Sequence, residues 1–341
     1  MNENEIERAL ETDEPRVDTE EALARFRMRV EDEGVMAAPP AERRRMPARW
    51  LQGLAAAAGV VLVASALTLS GVADSILKIF EPRSVVGVPV TQQDLSYLGR
   101  ACAGLDLQQC MGTYGTFEWT TPPQPKEVQS LALASSAAGY SVQTPSSLPA
   151  SVTGPTRYGV INRSSATFTF SAAATQQAAT RQGRTAPPMP ANIDGSHLYM
   201  TAGPAVFQIW GASGTSGGPR GTESPSTLPT LVVGQAKAPV VTSDGVTVDQ
   251  LRTYLLQQPG VSPQLAAAIR AIGDPASTLP VPVPAELAVS HPVTVQGVQG
   301  LFIGDNTGIA SAIIWQKDGM MFEVIGSLTE RQALDIANSM R

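Results

Sequence analysis

GLFIGDNTGIASAIIWQKDGMMFEVIG, residues 300–326, decides the fold class. Three short apolar runs, Gly300–Ile303, Ala310–Trp315 and Met320–Ile325, have strand length. Asp305-Asn306-Thr307-Gly308 and Lys317-Asp318-Gly319 separate them. Asp, Asn and Gly adopt the positive φ that tight hairpin turns require, so the runs are expected to pair as antiparallel strands. Val293–Val295 adds a further strand before them. Ser327 or Thr329 caps a final helix through Met340, whose Leu334 and Ile336 suggest docking on the sheet.

Moving towards the N-terminus, Leu279-Pro-Val-Pro-Val-Pro284 reads as an extended polyproline-like crossing between subregions, or as a ligand for a peptide groove. Before it come two helices. One runs from Val248 to Gln257, with Leu251, Tyr254 and Leu255 on one side. The other has Ser262 as cap and Pro263 at its first position, and extends through Ile272. The pair is expected to pack on the sheet, the alternative being a lid over a groove. Leu231–Gln235 reads as a strand, and residues 211–230 as a Gly/Ser/Thr/Pro loop.

Leu198–Thr201 and Val206–Trp210 read as strands with a hairpin-like Gly203-Pro204 between them. Ala166–Phe170 alternates as a half-buried strand should, with Phe168 and Phe170 on one face. Ala172–Gln182 and Val128–Ala138 read as helices, the second stopped by Gly139, and Tyr140–Val142 as the start of a strand. These elements define an α+β domain over 128–341, with an insertion around 211–285. Residues 74–127 read as a juxtamembrane region and linker, in part helical after Thr91 and broken by prolines at 122–125.

Upstream, WLQGLAAAAGVVLVASALTLSGVA, residues 50–73, carries no charge. At 1.5 Å per residue it is just long enough to cross a bilayer core of about 30 Å. Arg43, Arg44, Arg45 and Arg49 precede it, whereas Asp74, Lys78, Glu81 and Arg83 beyond it balance. Positive charge marks the cytoplasmic side, so the expected protein crosses the cell membrane once, N-terminus inside and C-terminal domain extracytoplasmic. The net charge is −6. Residues 1–49 hold 13 acidic and 9 basic side chains, which leaves a nearly neutral outer domain. Without a basic stripe, direct binding of nucleic acid is not expected.

Cys102 and Cys110 fall beyond the span, where an oxidising compartment permits a disulfide. Their spacing fits a structural staple, two free thiols or a redox switch. Inside, Asp18 and Glu21 form a capping-box pattern, and Leu23, Phe26 and Val30 share one face of a helix over 19–33. A lone helix of that length is marginal in water. It is either an interaction helix, with Leu23, Phe26 and Val30 as the partner-binding face, or a tail that satisfies topology.

Val17-Asp-Thr-Glu-Glu-Ala-Leu-Ala-Arg-Phe-Arg27 resembles the N-terminal segment of FecR-type transmembrane anti-sigma regulators. The order of inside helix, basic linker, span and outer domain is similar too. The His and paired-Cys pattern of zinc-binding anti-sigma proteins is absent from 1–49, so a metal-free helix would do the binding. Trp315–Gly319, Phe322–Gly326 and Leu334–Ser339, together with Val128–Pro149, resemble DUF4367-type extracytoplasmic domains. That resemblance implies the curved sheet of lipoprotein carriers and of the RseB sensor.

The expected fold is thus α+β: one transmembrane helix, then an extracytoplasmic curved antiparallel sheet with packed helices. The expected function is non-catalytic transmembrane signalling, with an anti-sigma-like segment whose cytoplasmic partner is a regulatory protein such as a sigma factor, and an outer sensor domain. The alternative is a membrane-anchored module that binds an apolar ligand or envelope component. No cofactor is expected. His197 and His291 lack ligand-spaced partners, and Asp194, Asp305 and Asp318 sit in turn sequences. Gly214-Thr-Ser-Gly-Gly218 matches a nucleophile elbow only formally, because a loop surrounds it.

Overall fold

The computed structural model describes residues 77–91, 94, 112, 114–181, 183–211, 230–258, 261–306, 308 and 310–341. The helix expected at 19–33, the span at 50–73, Cys102, Cys110 and Ser216 lie outside the described residues. Among the described residues no helix is long and apolar enough to cross a membrane.

The described chain is α+β with mostly antiparallel sheets. Its first strands are β1 (Leu77–Phe80), β2 (Ser84–Val90), β3 (Gly115–Thr121) and β4 (Pro125–Val128), followed by helix α1 (Leu131–Ala138). Next come β5 (Arg157–Ile161), β6 (Ser164–Phe170), α2 (Ala172–Arg181), β7 (His197–Ala202), β8 (Ala205–Trp210), β9 (Leu231–Lys237) and β10 (Val240–Ser243). Helices α3 (Val248–Leu256) and α4 (Pro263–Ala271) precede β11 (Thr278–Pro284). A meander of β12 (Ala288–Val295), β13 (Val298–Asp305), β14 (Ser311–Lys317) and β15 (Met320–Gly326) leads to α5 (Glu330–Ser339).

Two large sheets share one strand order. The eight-stranded sheet runs β12-β13-β14-β15-β9-β8-β5-β4, and the five-stranded sheet runs β1-β10-β7-β6-β3. Each of β9/β10, β8/β7, β5/β6 and β4/β3 is one chain segment passing from one sheet to the other through two or three residues. The two sheets are therefore halves of a single sheet folded along a line. Proline, glycine and asparagine occupy that line: Pro122-Pro123-Gln124, Asn162-Arg163, Gly203-Pro204 and Ala238-Pro239. Proline lacks the N–H a continuous ladder needs, so the ladder breaks there. Asn162 pins the line, accepting from Gln124 N–H and donating Nδ2–H to Pro122 O at 3.2 Å and Arg163 O at 2.8 Å.

The structure corrects five readings. Gly203-Pro204 is not a hairpin, because β7 and β8 lie in different sheets. Residues 74–127 are more than a linker, since β1, β2, β3 and β4 from that stretch pair in the sheets. The 211–285 stretch is not simply an insertion, because β9 within it sits between β15 and β8 near the middle of the eight-stranded sheet. The proline run at 279–284 is a strand, β11, paired in parallel with β2. Leu279, Val281 and Val283 face inwards while Pro280 and Pro282 face out, a two-residue period that leaves the prolines on an edge. Tyr140–Val142, read as a strand, is irregular. It is held by Tyr140, whose hydroxyl donates to Gln235 O at 2.7 Å.

One face of the eight-stranded sheet is covered by α1 and α5. Trp315, Phe322 and Val324 pack there with Ala333, Ile336 and Ala337 of α5. Thr329 and Gln332 cap α5 reciprocally, so Thr329 and not Ser327 starts it. On the opposite face the β2–β11 ribbon sets Val85, Leu279 and Val281 against Leu301, Ile314 and Met321. The five-stranded sheet buries Phe117, Phe168, Phe170 and Met200 beneath Leu251 and Tyr254, so α3 packs on the sheet.

Candidate functional site

β15 is an apolar strand interrupted by one carboxyl group, Met320-Met-Phe-Glu-Val-Ile-Gly326. Alternation sends Phe322 and Val324 to the α5 face, so Met321 and Glu323 point to the other. Register places Glu323 in a row crossing all eight strands: Glu127, Gly159, Phe207, Gly234, Glu323, Ile314, Leu301 and Pro292. A Cβ on Gly234 would lie 2.5–2.9 Å from Oε1, Cγ and Cδ of Glu323. The carboxyl group is thus folded across β9 into the space that a side chain at 234 would take.

Glu323 is only 4% exposed, and its Oε2 has no hydrogen-bond partner among the described residues. Burial penalises the charged form and pushes the carboxyl up to about 8. Its neighbours in the row are apolar or glycine. Further along the same face lie Ile161, Ala205, Phe207, Ile209 and Val232. A neutral carboxylic acid on a central strand is therefore the resting form at neutral pH, and it retains an unmet capacity for one strong hydrogen bond.

β9 and β15 also form a structural seam. The folded half of the sheet is bordered by β9, the C-terminal meander ends on β15, and antiparallel pairing from Leu231↔Gly326 to Lys237↔Met320 joins them. Glu323 lies midway along that pairing.

No family model, curated protein or solved structure matches the chain. The functional reading therefore stands on the chain's own residues.

A second cluster occupies the five-stranded sheet. Asp244, in the turn between β10 and α3, accepts from His197 N–H at 2.7 Å and from the Tyr199 hydroxyl at 3.1 Å. Its Oδ2 also lies 2.6 Å from His197 Nδ1. Burial alone would raise the Asp244 carboxyl, but these bonds and the His197 ring outweigh it and hold the group below the usual carboxylate range. Burial, and then the same carboxylate, push the Tyr199 phenol up. With Asp244 ionised, the short contact is a hydrogen bond that His197 Nδ1–H donates. The His197 and Tyr199 rings stack at 5.8 Å. This cluster fixes the turn that launches α3.

The partner of His197 lies 47 residues away and meets it only through the β7–β10 pairing, which spacing in the sequence does not reveal. His291 likewise meets Glu330, at 2.9 Å between β12 and α5. Asp305 and Asp318 do sit in turns. Asp318 and Gly319 take φ of 52° and 75°, and Asp305 accepts from Ala310 N–H at 3.1 Å. Among the described residues no group of three potential ligands is placed to hold a metal ion. The expected partner-binding residues Leu23, Phe26 and Val30, and the cysteines, lie outside the described residues. The sequence reading missed Glu323, although a lone charge in an otherwise apolar strand was the available signal.

Asp94 makes a further closed contact. Thr91 and Ser262 donate four hydrogen bonds to its carboxylate at 2.7–3.3 Å. Burial raises this carboxyl, but those bonds more than offset it and leave it below its ordinary value. Asp94 ties the end of β2 to the start of α4, which makes it a structural residue.

Proposed function

We propose that the chain is a non-catalytic transmembrane signalling protein of the anti-sigma type. Residues 1–49 hold a cytoplasmic regulatory partner, 50–73 cross the membrane, and the outer α+β domain is the sensor. The observation that carries this reading is the charge-free run at 50–73, with four arginines just before it and balanced charges after it. The amphipathic pattern of Leu23, Phe26 and Val30 supports a docking helix on the inner side. The outer domain's first strand begins at Leu77, soon after the proposed span, so a change in the sheet has a short route to the membrane.

The test is capture of a partner from native lysate by residues 1–49, with Leu23→Asp plus Phe26→Asp as control. Binding of a sigma factor or other regulator that the control loses supports the reading. Capture of nothing specific would end it.

A second reading, a membrane-anchored module for an apolar ligand, draws on the face around Phe207. Two glycines, Gly159 and Gly234, flank that ring in the row. Native mass spectrometry of the full chain in detergent tests it. A co-purifying apolar molecule that is lost in Phe207→Glu favours this module, whereas the same spectrum from both proteins argues against it.

A further inference from the structure

We propose that Glu323 is a proton-controlled clasp on the β9–β15 seam, so that the outer domain responds to alkalinity by loosening that seam. This deepens the sensor reading above and rests on it.

Three observations carry the inference. Glu323 sits in the middle of the strand pair that, among the described residues, joins the folded half of the eight-stranded sheet to the meander. Its carboxyl group is pressed over the Gly234 backbone, in the space of an absent side chain. Oε2 is buried and has no partner among the described residues. A neutral acid tolerates that position at modest cost. A carboxylate there is nearly shut off from solvent and meets no counter-charge among the described residues, and such a group either takes up a proton or moves towards water.

The surroundings offer no compensation. On the face that Glu323 shares, β9 presents Val232, Gly234 and Ala236, β14 presents Ala312, Ile314 and Gln316, and β8 presents Ala205, Phe207 and Ile209. The β2–β11 ribbon contributes Val85, Leu279 and Val281. None of these titrates. The titratable groups of this face among the described residues stand further off: Asp305 at the far end of β13, Arg157 on β5 and Glu127 on β4, two, three and four strands from β15. Arg157 has an interaction of its own.

Ionisation therefore has one local outlet, displacement of Glu323 from Gly234, and the pairing it spans must yield. A shift there changes how the meander and α5 sit on the folded half. That gives the domain two arrangements whose balance depends on one proton.

The test is hydrogen exchange by mass spectrometry on the full chain in detergent, with rates corrected for the intrinsic effect of pH. Glu323→Gln keeps the shape without the titration, and Glu323→Met serves if the amide does not fold. Between about pH 6.5 and about pH 9.5, protection of 231–237 and 320–326 should fall at least about ten-fold in the native protein. It should stay level in either variant. The β3–β6 pair, away from the seam, should stay level in all three. Equal protection of the seam at both pH values, or a fall shared by the variants, overturns the proposal. Capture of a regulator by residues 1–49 together with a flat seam would remove the proton as signal and leave the signalling reading standing. A responsive seam without capture would do the reverse.

Discussion

The seam at Glu323 and the turn at Asp244 place carboxyl groups in opposite circumstances. Asp244 is about a quarter exposed and accepts from two residues of β7. Glu323 is buried, with an oxygen that nothing described satisfies. The first is held ionised and the second neutral, though each joins two pieces of the same folded sheet. Donors, not depth alone, set the charge of a carboxyl group. Asp94 makes the same point, because it too is buried yet is shifted the other way by Thr91 and Ser262.

The largest expected effect is on the pH dependence of stability. Glu323 holds its proton up to about 8 in the folded state, against 4.5 ordinarily. The folded chain thus binds more protons than the unfolded chain between those values. This contribution is fully present below pH 4.5 and is lost as pH rises through about 8. The unfolding free energy from denaturant titrations should fall across that window with a slope approaching about 1.4 kcal/mol per pH unit. Glu323→Gln should flatten the curve, and an unchanged slope in that variant would break the contrast.

Next in size is Gly234→Ala. Its methyl group would overlap Glu323, so a cost of about 1–3 kcal/mol is expected. In a Glu323→Ala background the same substitution should cost clearly less, as a double-mutant cycle would show. Equal costs would mean that the two residues are not in the close contact described.

Asp244→Asn should cost about 1–2 kcal/mol at neutral pH, at the low end because His197 is more than a third exposed. The sign with pH is opposite to that of Glu323. Asp244 stabilises above its ordinary value of 3.8, and the benefit disappears as pH falls through its lower folded value. The native and Asp244→Asn proteins should therefore converge in acid. Smallest is Thr329→Ala, which removes the α5 cap and should cost about 1 kcal/mol at any pH between 5 and 9.

Legibility in the sequence follows the range of the interactions. The Asp318-Gly319 turn, the Ser262-Pro263 helix start and the Phe168/Phe170 alternation are set by neighbouring residues, and each stands as read. The fold line was hidden because Gly203-Pro204 serves equally well as a hairpin turn or as a break between sheets. Only the partners of β7 and β8 distinguish the two. At β11 the alternation of Leu279, Val281 and Val283 with prolines was visible, but proline content pointed to an unpaired crossing. The tight turn at Gln296-Gly297, with φ of 49° and 81°, went unread because its flanking valines leave the strand ends unmarked. Asp244 and His197 could not be joined by spacing, since their pairing depends on strand order. Glu323 was legible as an oddity in β15, but its lack of a partner emerges only once β9 and β14 flank it.

The most direct measurement is infrared titration of the Glu323 carboxyl group, taking the native spectrum minus that of Glu323→Gln. A protonated carboxylic-acid band that persists through neutral pH and disappears around pH 8 is the predicted result. A band that vanishes near 4.5, with the ordinary glutamates, would show that Glu323 is charged at rest and would contradict the account.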